Sequence, residues 1–374
     1  KKLIQRVEKE LSFVNFVDIG KVKVFDIVIG QHMVAIYKKS KSVKDFIYKK
    51  IINDISDIST NSQTDSVKIK KLSNNEVFTI NHEIIVESNQ IKFENTIELQ
   101  KICDTSIGVQ ESPDKISNKQ IRNTKTITNI KAGVGVFVLN KMELDQLNLT
   151  PYEKTKFRKY LDPNDIYRYG LIFREKYLLY SDQHLKEEIE KSEKLNNIKK
   201  HLDKYQDFIT SSNKPYGIHR PRKLKYFVNP KIIFKGMFEK NEFTYDEDEY
   251  FVGFSFSLII QKDKHYNLKY VLALLNSKFA LNWFNMNGKK RGAGLDIGVQ
   301  KLRLFPIKIV SASTQSRFIE VVDQILGITK NEDYFTNSSK QNLVNEFVKK
   351  IDLMVYELYG LSESEILEME KSNK

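Results

Sequence analysis

Residues 268–284, LKYVLALLNSKFALNWF, are apolar nearly all the way round a helical wheel, and this limits the fold more than any other stretch. A helix without a polar face must be covered on every side, by lipid or by protein. No hydrophobic run in the chain reaches the roughly 18–20 residues that span a bilayer. The helix is therefore expected at the buried centre of a globular domain, and its neighbours in sequence must supply the layers around it.

Those neighbours read as short strands and turns from Ile102 to Pro306. KAGVGVFVLN gives a strand after a Gly pair, EKYLLYSD another, PKIIFKGMFEKNEFTYD a hairpin, and FVGFSFSLII alternates rings with small polar residues at period two. YFV and KIIF read as strands that bury Phe227 and Phe234. EEIEKSEKLNNIKKHLDKYQDFI is a charged helix with Leu195, Ile198, Leu202 and Tyr205 at helical spacing. Beyond Pro306, FIEVVDQILGI and LVNEFVKKIDLMVYELYG are amphipathic helices, the second with Leu343, Phe347, Ile351, Met354 and Leu358 on one face. Gly360 suits a helix C′ position, and Ser362 with Glu365 has capping-box spacing for a last short helix. Such a helical pair either closes against its own domain or offers a surface to another subunit.

The N-terminal part is different. Residues 1–11 read as the end of a helix, and VNFVDIGKVKVF passes through Gly20 into DIVIGQHMVAIYKK, two strands at the edge of something larger. Residues 41–100 are polar and rich in Asn and Ser, a connecting segment. The expectation is an α+β protein in four parts, 1–40, 41–100, 101–310 and 311–374. At 374 residues the chain exceeds what one core usually supports. It begins KKLIQRVEK, without Met or a targeting signal, and is expected to be a fragment of something longer.

The net charge is +13, with a pI near 9.3, which favours a polyanionic partner. An AT-rich genome also produces Lys-rich chains, so distribution matters more than the sum. Residues 311–374 hold 7 Lys and Arg against 11 Asp and Glu, leaving 54 against 37 in residues 1–310. The cations are segregated from the tail. Cys103 stands alone, which excludes a disulfide framework and a thiolate zinc site and fits a reducing cytoplasm.

Several chemistries lack their residues. No Pro-Pro pair occurs, hence no Asn-Pro-Pro-aromatic tetrapeptide to hold an exocyclic amine. Gly133 and Gly135 begin a G-x-G, but VFVLN follows where a cofactor loop needs another small residue and a helix start. There is no Glu-x-Lys triplet of the metal-dependent nuclease core, and no phosphate-binding G-x-x-x-x-G-K-[ST] loop. The six His (32, 82, 184, 201, 219 and 265) are dispersed, without metal-ligand spacing. DEDEY, 246–250, reads as a solvated hairpin tip, because consecutive carboxylates do not all converge on one cation.

Two basic segments remain. GIHRPRKLKYFVNPKIIF, 217–234, carries Arg220, Arg222, Lys223, Lys225 and Lys231 among three rings. NGKKRGAGLDIG, 287–298, sets Lys289, Lys290 and Arg291 between glycines that let cations and amides approach a phosphate. Arg suits bidentate contact with guanine and Lys point-charge contact with phosphate. The alternative is that these cations are merely solvated; the rings are read as core.

In order and spacing, the series DTSIGVQESPDK, IKAGVGVFVLN, DPNDIYRYG, YLLYSD, IKKHLDKYQDFI, YGIHRPR, FVNPKIIF, YVLALLNSKFALNWF, NGKKRG and LFPI resembles the TaqI-like C-terminal specificity region of adenine-N6 DNA methyltransferases and type IIG restriction-modification enzymes. The resemblance covers about residues 100–310, and LMVYELYGLSESEI resembles the helical close that follows. IGKVKVFDIVIGQHMVAIYKK is similar to the end of the family's catalytic sheet. The resemblance implies that residues 1–40 are a remnant of the methyltransferase sheet, 101–310 a DNA target-recognition domain, and 311–374 a helical closing segment. It implies that Phe25 stacks on an adenine flipped out of duplex DNA, because the amino group is unreachable within the stack. It also implies S-adenosylmethionine as cofactor of the parent enzyme, although the cofactor strands and the Asn-Pro-Pro-aromatic motif would precede Lys1. None of that machinery is in this chain, whose expected work is binding double-stranded DNA.

The expected DNA contacts are Gln110, within the loop Ser106–Asp114, and Arg220, Arg222, Lys223, Lys225, Lys289, Lys290 and Arg291. A free-standing specificity subunit serving separate methylation and cleavage subunits is the alternative, though it would have no reason to keep FVDIGKVKVFDIVIG. An unrelated metal-dependent nuclease and an RNA-binding or structural role are the remaining readings.

Overall fold

The computed structural model describes residues 12–20, 32–39, 45–50, 64–68, 93–124, 130–291 and 294–372. Phe25 and residues 1–11 lie outside them. The chain divides into two units, residues 1–94 with 290–295, and residues 95–289 with 296–374. Helices and several small sheets together make an α+β protein.

The smaller unit holds a four-stranded mixed sheet in the order His32–Lys38, Ser12–Gly20, Asp45–Lys50, Thr64–Lys68. The first and last pairs are antiparallel, and the central pair, Ser12–Gly20 with Asp45–Lys50, is parallel.

The larger unit is built on two four-stranded sheets. One runs Phe251–Val252, Phe157–Leu161, Lys176–Leu179, Val138–Asn140; the other, wholly antiparallel, runs Phe243–Asp246, Lys231–Lys235, Phe256–Gln261, Cys103–Ile107. FVGFSFSLII is thus two strands in two sheets, interrupted at Gly253–Ser255. Its second half buries five successive residues, since strand Phe256–Gln261 is central and covered on both faces. Phe227 stacks on Phe251, centroids 4.4 Å apart, in the core of the first sheet. Phe234, Phe243 and Phe284 stack under the second. Of the three rings of the basic segment, Phe227 and Phe234 are therefore core, and Tyr226 is half-buried against it. Only KIIF is a strand, however: Lys225–Val228 is a single helical turn.

The apolar stretch is buried as expected, but as two helices, Leu268–Leu275 and Lys278–Asn287. Asn276 and Ser277, both fully buried, make the break. The Asn276 amide donates to the Phe243 carbonyl (2.9 Å) and accepts from its N–H (3.0 Å), pairing with a strand edge as a neighbouring strand would. Ser277 caps the second helix by accepting from the Ala280 N–H. The charged stretch is likewise broken, into Gln183–Lys191 and Asn196–Asp203, with Ser192 accepting from the Lys194 N–H at the turn. Leu195, Ile198 and Leu202 are buried, and Tyr205 is half-buried.

The tail helices Ala312–Thr329 and Ser338–Tyr359 close against this same unit. Phe318 packs on Tyr270, Tyr359 stacks on Phe279, and the Thr329 hydroxyl donates to the Tyr169 carbonyl. The buried stripe of Ser338–Tyr359 is Val344, Val348, Ile351, Val355 and Tyr359, rotated by about one residue from the expected face; Leu343 is exposed. Gly360 ends the helix at φ +69°, a left-handed cap that a side chain would strain. The Ser362 hydroxyl and N–H both donate to the Glu365 carboxylate, opening helix Glu363–Ser372. Among the described residues no helix is long and apolar enough to cross a membrane.

Candidate nucleic-acid interface

Where strand Cys103–Ile107 ends, the chain leaves one sheet and crosses to the other. The Gly108 N–H donates to the Phe256 carbonyl (3.0 Å) and the Val109 N–H to the Val252 carbonyl (2.9 Å). A Cβ on Gly108 would stand 2.2 Å from the Gly253 carbonyl oxygen and 2.3 Å from that of Val252, so only glycine fits this crossing. Immediately afterwards Gln110 and Arg220 exchange both backbone hydrogen bonds, each 3.0 Å, as an antiparallel bridge. The Glu111 carbonyl accepts from the His219 N–H (3.1 Å), extending the pairing by one step. The loop and the basic segment, which the sequence could only name separately, are two rails of one ribbon.

Side chains on this ribbon divide by environment. Arg220 is exposed and Gln110 half-buried. Arg222 sits at φ +65° and its Nε donates to the Gly108 carbonyl (3.2 Å), while its own carbonyl accepts from the Tyr180 hydroxyl (3.1 Å). Burial, then the like charge of Arg220, pushes the Arg222 guanidinium below its usual range. Such like charges gain from an anionic partner. Lys223 is exposed. Lys225 is half-exposed and paired with Asp104 at 2.7 Å, a surface bridge that costs little to exchange for a phosphate. Lys231, the fifth cation of the segment, is fully buried against Asp246 and faces no ligand. Asp246 likewise leaves the expected solvated tip, of which Glu247, Asp248 and Glu249 remain exposed.

The side chain of Glu111, the next residue of the ribbon, is buried. Its buried carboxyl accepts from the Tyr160 hydroxyl (2.9 Å), and burial raises its pKa from 4.5 to about 7. Its cost and its pairing could not be seen in the sequence, where it is one acidic residue among many.

The second basic segment is not a free loop. Lys289–Arg291 forms a short strand beside Gly294–Asp296. Lys289 and Arg291 are exposed; Lys289 belongs to the larger unit, Lys290 and Arg291 to the smaller.

Residues 158–307 match the model of the TaqI-like C-terminal specificity domain. Over that stretch the chain is similar to such a specificity domain. Over 229 residues it is 25% identical to the type II methyltransferase M.MjaIV of Methanocaldococcus jannaschii, covering 56% of this chain and 76% of that one. In structure it is similar to the type IIL restriction-modification enzyme MmeI, solved in complex with DNA, with TM-score 0.60 at 14% identity over all of this chain. The type IIG restriction endonuclease BpuSI aligns over 95% of this chain, with TM-score 0.40 and 13% identity. The chain spans about half of these solved structures, 46% and 45%. The matched stretch contains Arg220, Arg222, Lys223, Lys225 and the Lys289–Arg291 strand; Gln110 precedes it and joins it through the bridge to Arg220.

Proposed function

We propose that this chain recognises a DNA sequence as the C-terminal part of an adenine-N6 DNA methyltransferase or type IIG restriction-modification enzyme. One observation carries the reading: the Gln110–Arg220 bridge, which joins two side chains able to read bases to a TaqI-like specificity domain. Gln bonds adenine at N6 and N7, and Arg bonds guanine at O6 and N7, both in the major groove. A two-stranded ribbon is narrow enough to enter that groove.

Lys223, Lys225, Lys289, Lys290 and Arg291 contact phosphates and fix the register. Arg222, tied to Gly108, shares the reading with Arg220. Phe25, outside the described residues, stacks on the adenine that leaves the duplex. S-adenosylmethionine serves the parent enzyme, through a methyltransferase region upstream or a separate catalytic subunit; this chain's own part is recognition.

Selection of duplexes from a randomised library by the full chain, with salt titration of the winners, tests this. Recovery of a defined sequence whose binding falls steeply with salt supports it. Recovery of no sequence over background, or equal binding to RNA, overturns it.

A further inference from the structure

Phe254 is 64% exposed in a chain that buries most of its other phenylalanines in the larger unit. The period-two pattern makes it one ring of an alternating strand, yet it sits at the apex of the turn between two sheets. Four backbone bonds hold that turn: Phe256 N–H to the Gly253 carbonyl, Gly236 N–H to the Ser255 carbonyl, Gly108 N–H to the Phe256 carbonyl, and Val109 N–H to the Val252 carbonyl. A Cβ at Gly253 would stand 2.4 Å from the Tyr160 hydroxyl, so the residue before the ring is packed against the core. The ring is thus presented outward by a rigid frame. Leaving it in water forfeits the free energy its burial would supply.

The same backbone crossing organises the cations. Gly108 and Val109 bond both flanks of the Phe254 turn, Arg222 Nε bonds the Gly108 carbonyl, and Gln110 follows in the bridge to Arg220. Ile107, one residue before Gly108, is 39% exposed. Two carboxylates of this region are engaged, Glu111 on Tyr160 and Asp104 on Lys225. An exposed ring carried by the same backbone crossing that holds Arg222 complements nucleic acid: phosphates for the cations, base faces for the ring.

We propose that Phe254 is a base-contacting wedge, lodged against a partly unstacked step of the site that Gln110 and Arg220 read. The inference rests on the DNA reading above. An aromatic wedge spends unstacking energy in exchange for deformation that only flexible steps allow cheaply, so Phe254 contributes specificity at base pairs that no polar side chain touches.

The test uses the full chain and the duplex it selects from a randomised library, with 2-aminopurine placed at each adenine of that duplex in turn. Expected are a fluorescence rise at one step on binding, loss of that rise in the Phe254→Ala protein, and about tenfold weaker binding of the selected duplex, the size of one stacking contact. The salt slope and the affinity for random duplex stay unchanged. Phe254→Leu, which keeps apolar volume, controls for any change in folding and is expected to fall between the two. Selected-duplex binding and fluorescence equal to wild type in both variants would overturn the wedge while leaving DNA recognition standing. Selection of no sequence by the wild-type chain would instead overturn the recognition on which it rests. Normal DNA binding with lost association to a catalytic region would make Phe254 a protein contact and refute the proposal.

Discussion

Lys231 and Asp246 face each other across antiparallel strands, Nζ 2.5 Å from Oδ2, with no exposed surface on either side chain. Burial pushes the lysine pKa down and the carboxyl pKa up, and the attraction between them opposes both shifts. Asp246 also accepts from the N–H groups of Asp248 (2.8 Å) and Tyr250 (3.0 Å), and Lys231 donates to the Phe227 carbonyl (2.5 Å). The pair therefore pins the end of the basic segment to the second sheet. Replacing Lys231 with Met leaves Asp246 buried and uncompensated, at an expected cost of about 3–5 kcal/mol in chemical denaturation. Replacing both with apolar residues is expected to restore much of that loss. A double variant no more stable than the single one would show that the pair's charge is not what matters.

Exchanging Arg220 for Ala removes a side chain and keeps the backbone bridge to Gln110, so the ribbon survives. Sequence preference is expected to relax at one base pair by about 1–3 kcal/mol, read from a panel of single-position variants of the selected duplex. Gln110→Ala is expected to relax a different position, one occupied by adenine. Equal loss on every duplex would move either residue to the phosphate class.

Replacing Lys289, Lys290 and Arg291 together with Ala is expected to weaken binding to all sequences alike. The slope of log affinity against log salt should flatten by about 0.9 for each phosphate contact removed. An unchanged slope measured by anisotropy would take these cations off the DNA.

Glu111 gives the fold a pH dependence. Its pKa rises on folding from 4.5 to about 7, so the folded state binds the proton more tightly than the unfolded chain. The contribution, roughly 3 kcal/mol relative to a group with no shift, is complete below about pH 4.5 and is lost as pH rises through about 7. Glu111→Gln keeps an acceptor for the Tyr160 hydroxyl and removes the titration. Its stability relative to wild type is expected to rise from pH 5 to pH 8 in paired thermal melts; a constant difference would refute the shift.

Much of the tail was legible because its signals are local. Gly360, Ser362 and Glu365 act within one helical turn, and the burial of residues 268–284 follows from composition on a wheel. Composition could not say that Asn276 would break that helix, since the break depends on an amide finding the backbone of Phe243 far away in sequence. The buried stripe of Ser338–Tyr359 differs by about one residue from the one the spacing predicts, because Leu343 and Val344 are equally apolar and only the packed partner chooses between them.

By itself the sequence determined the α+β class, the burial of the apolar stretch 268–284, the segregation of positive charge and the order of motifs similar to those of TaqI-like specificity domains. These rest on periodicity, composition and neighbours within a few positions. Tertiary structure alone decided which cations face solvent, that Lys231 is spent on Asp246, that Gln110 lies against Arg220, and that Phe254 points outward. Each of those joins residues distant along the chain through close packing and backbone pairing, which no local pattern encodes.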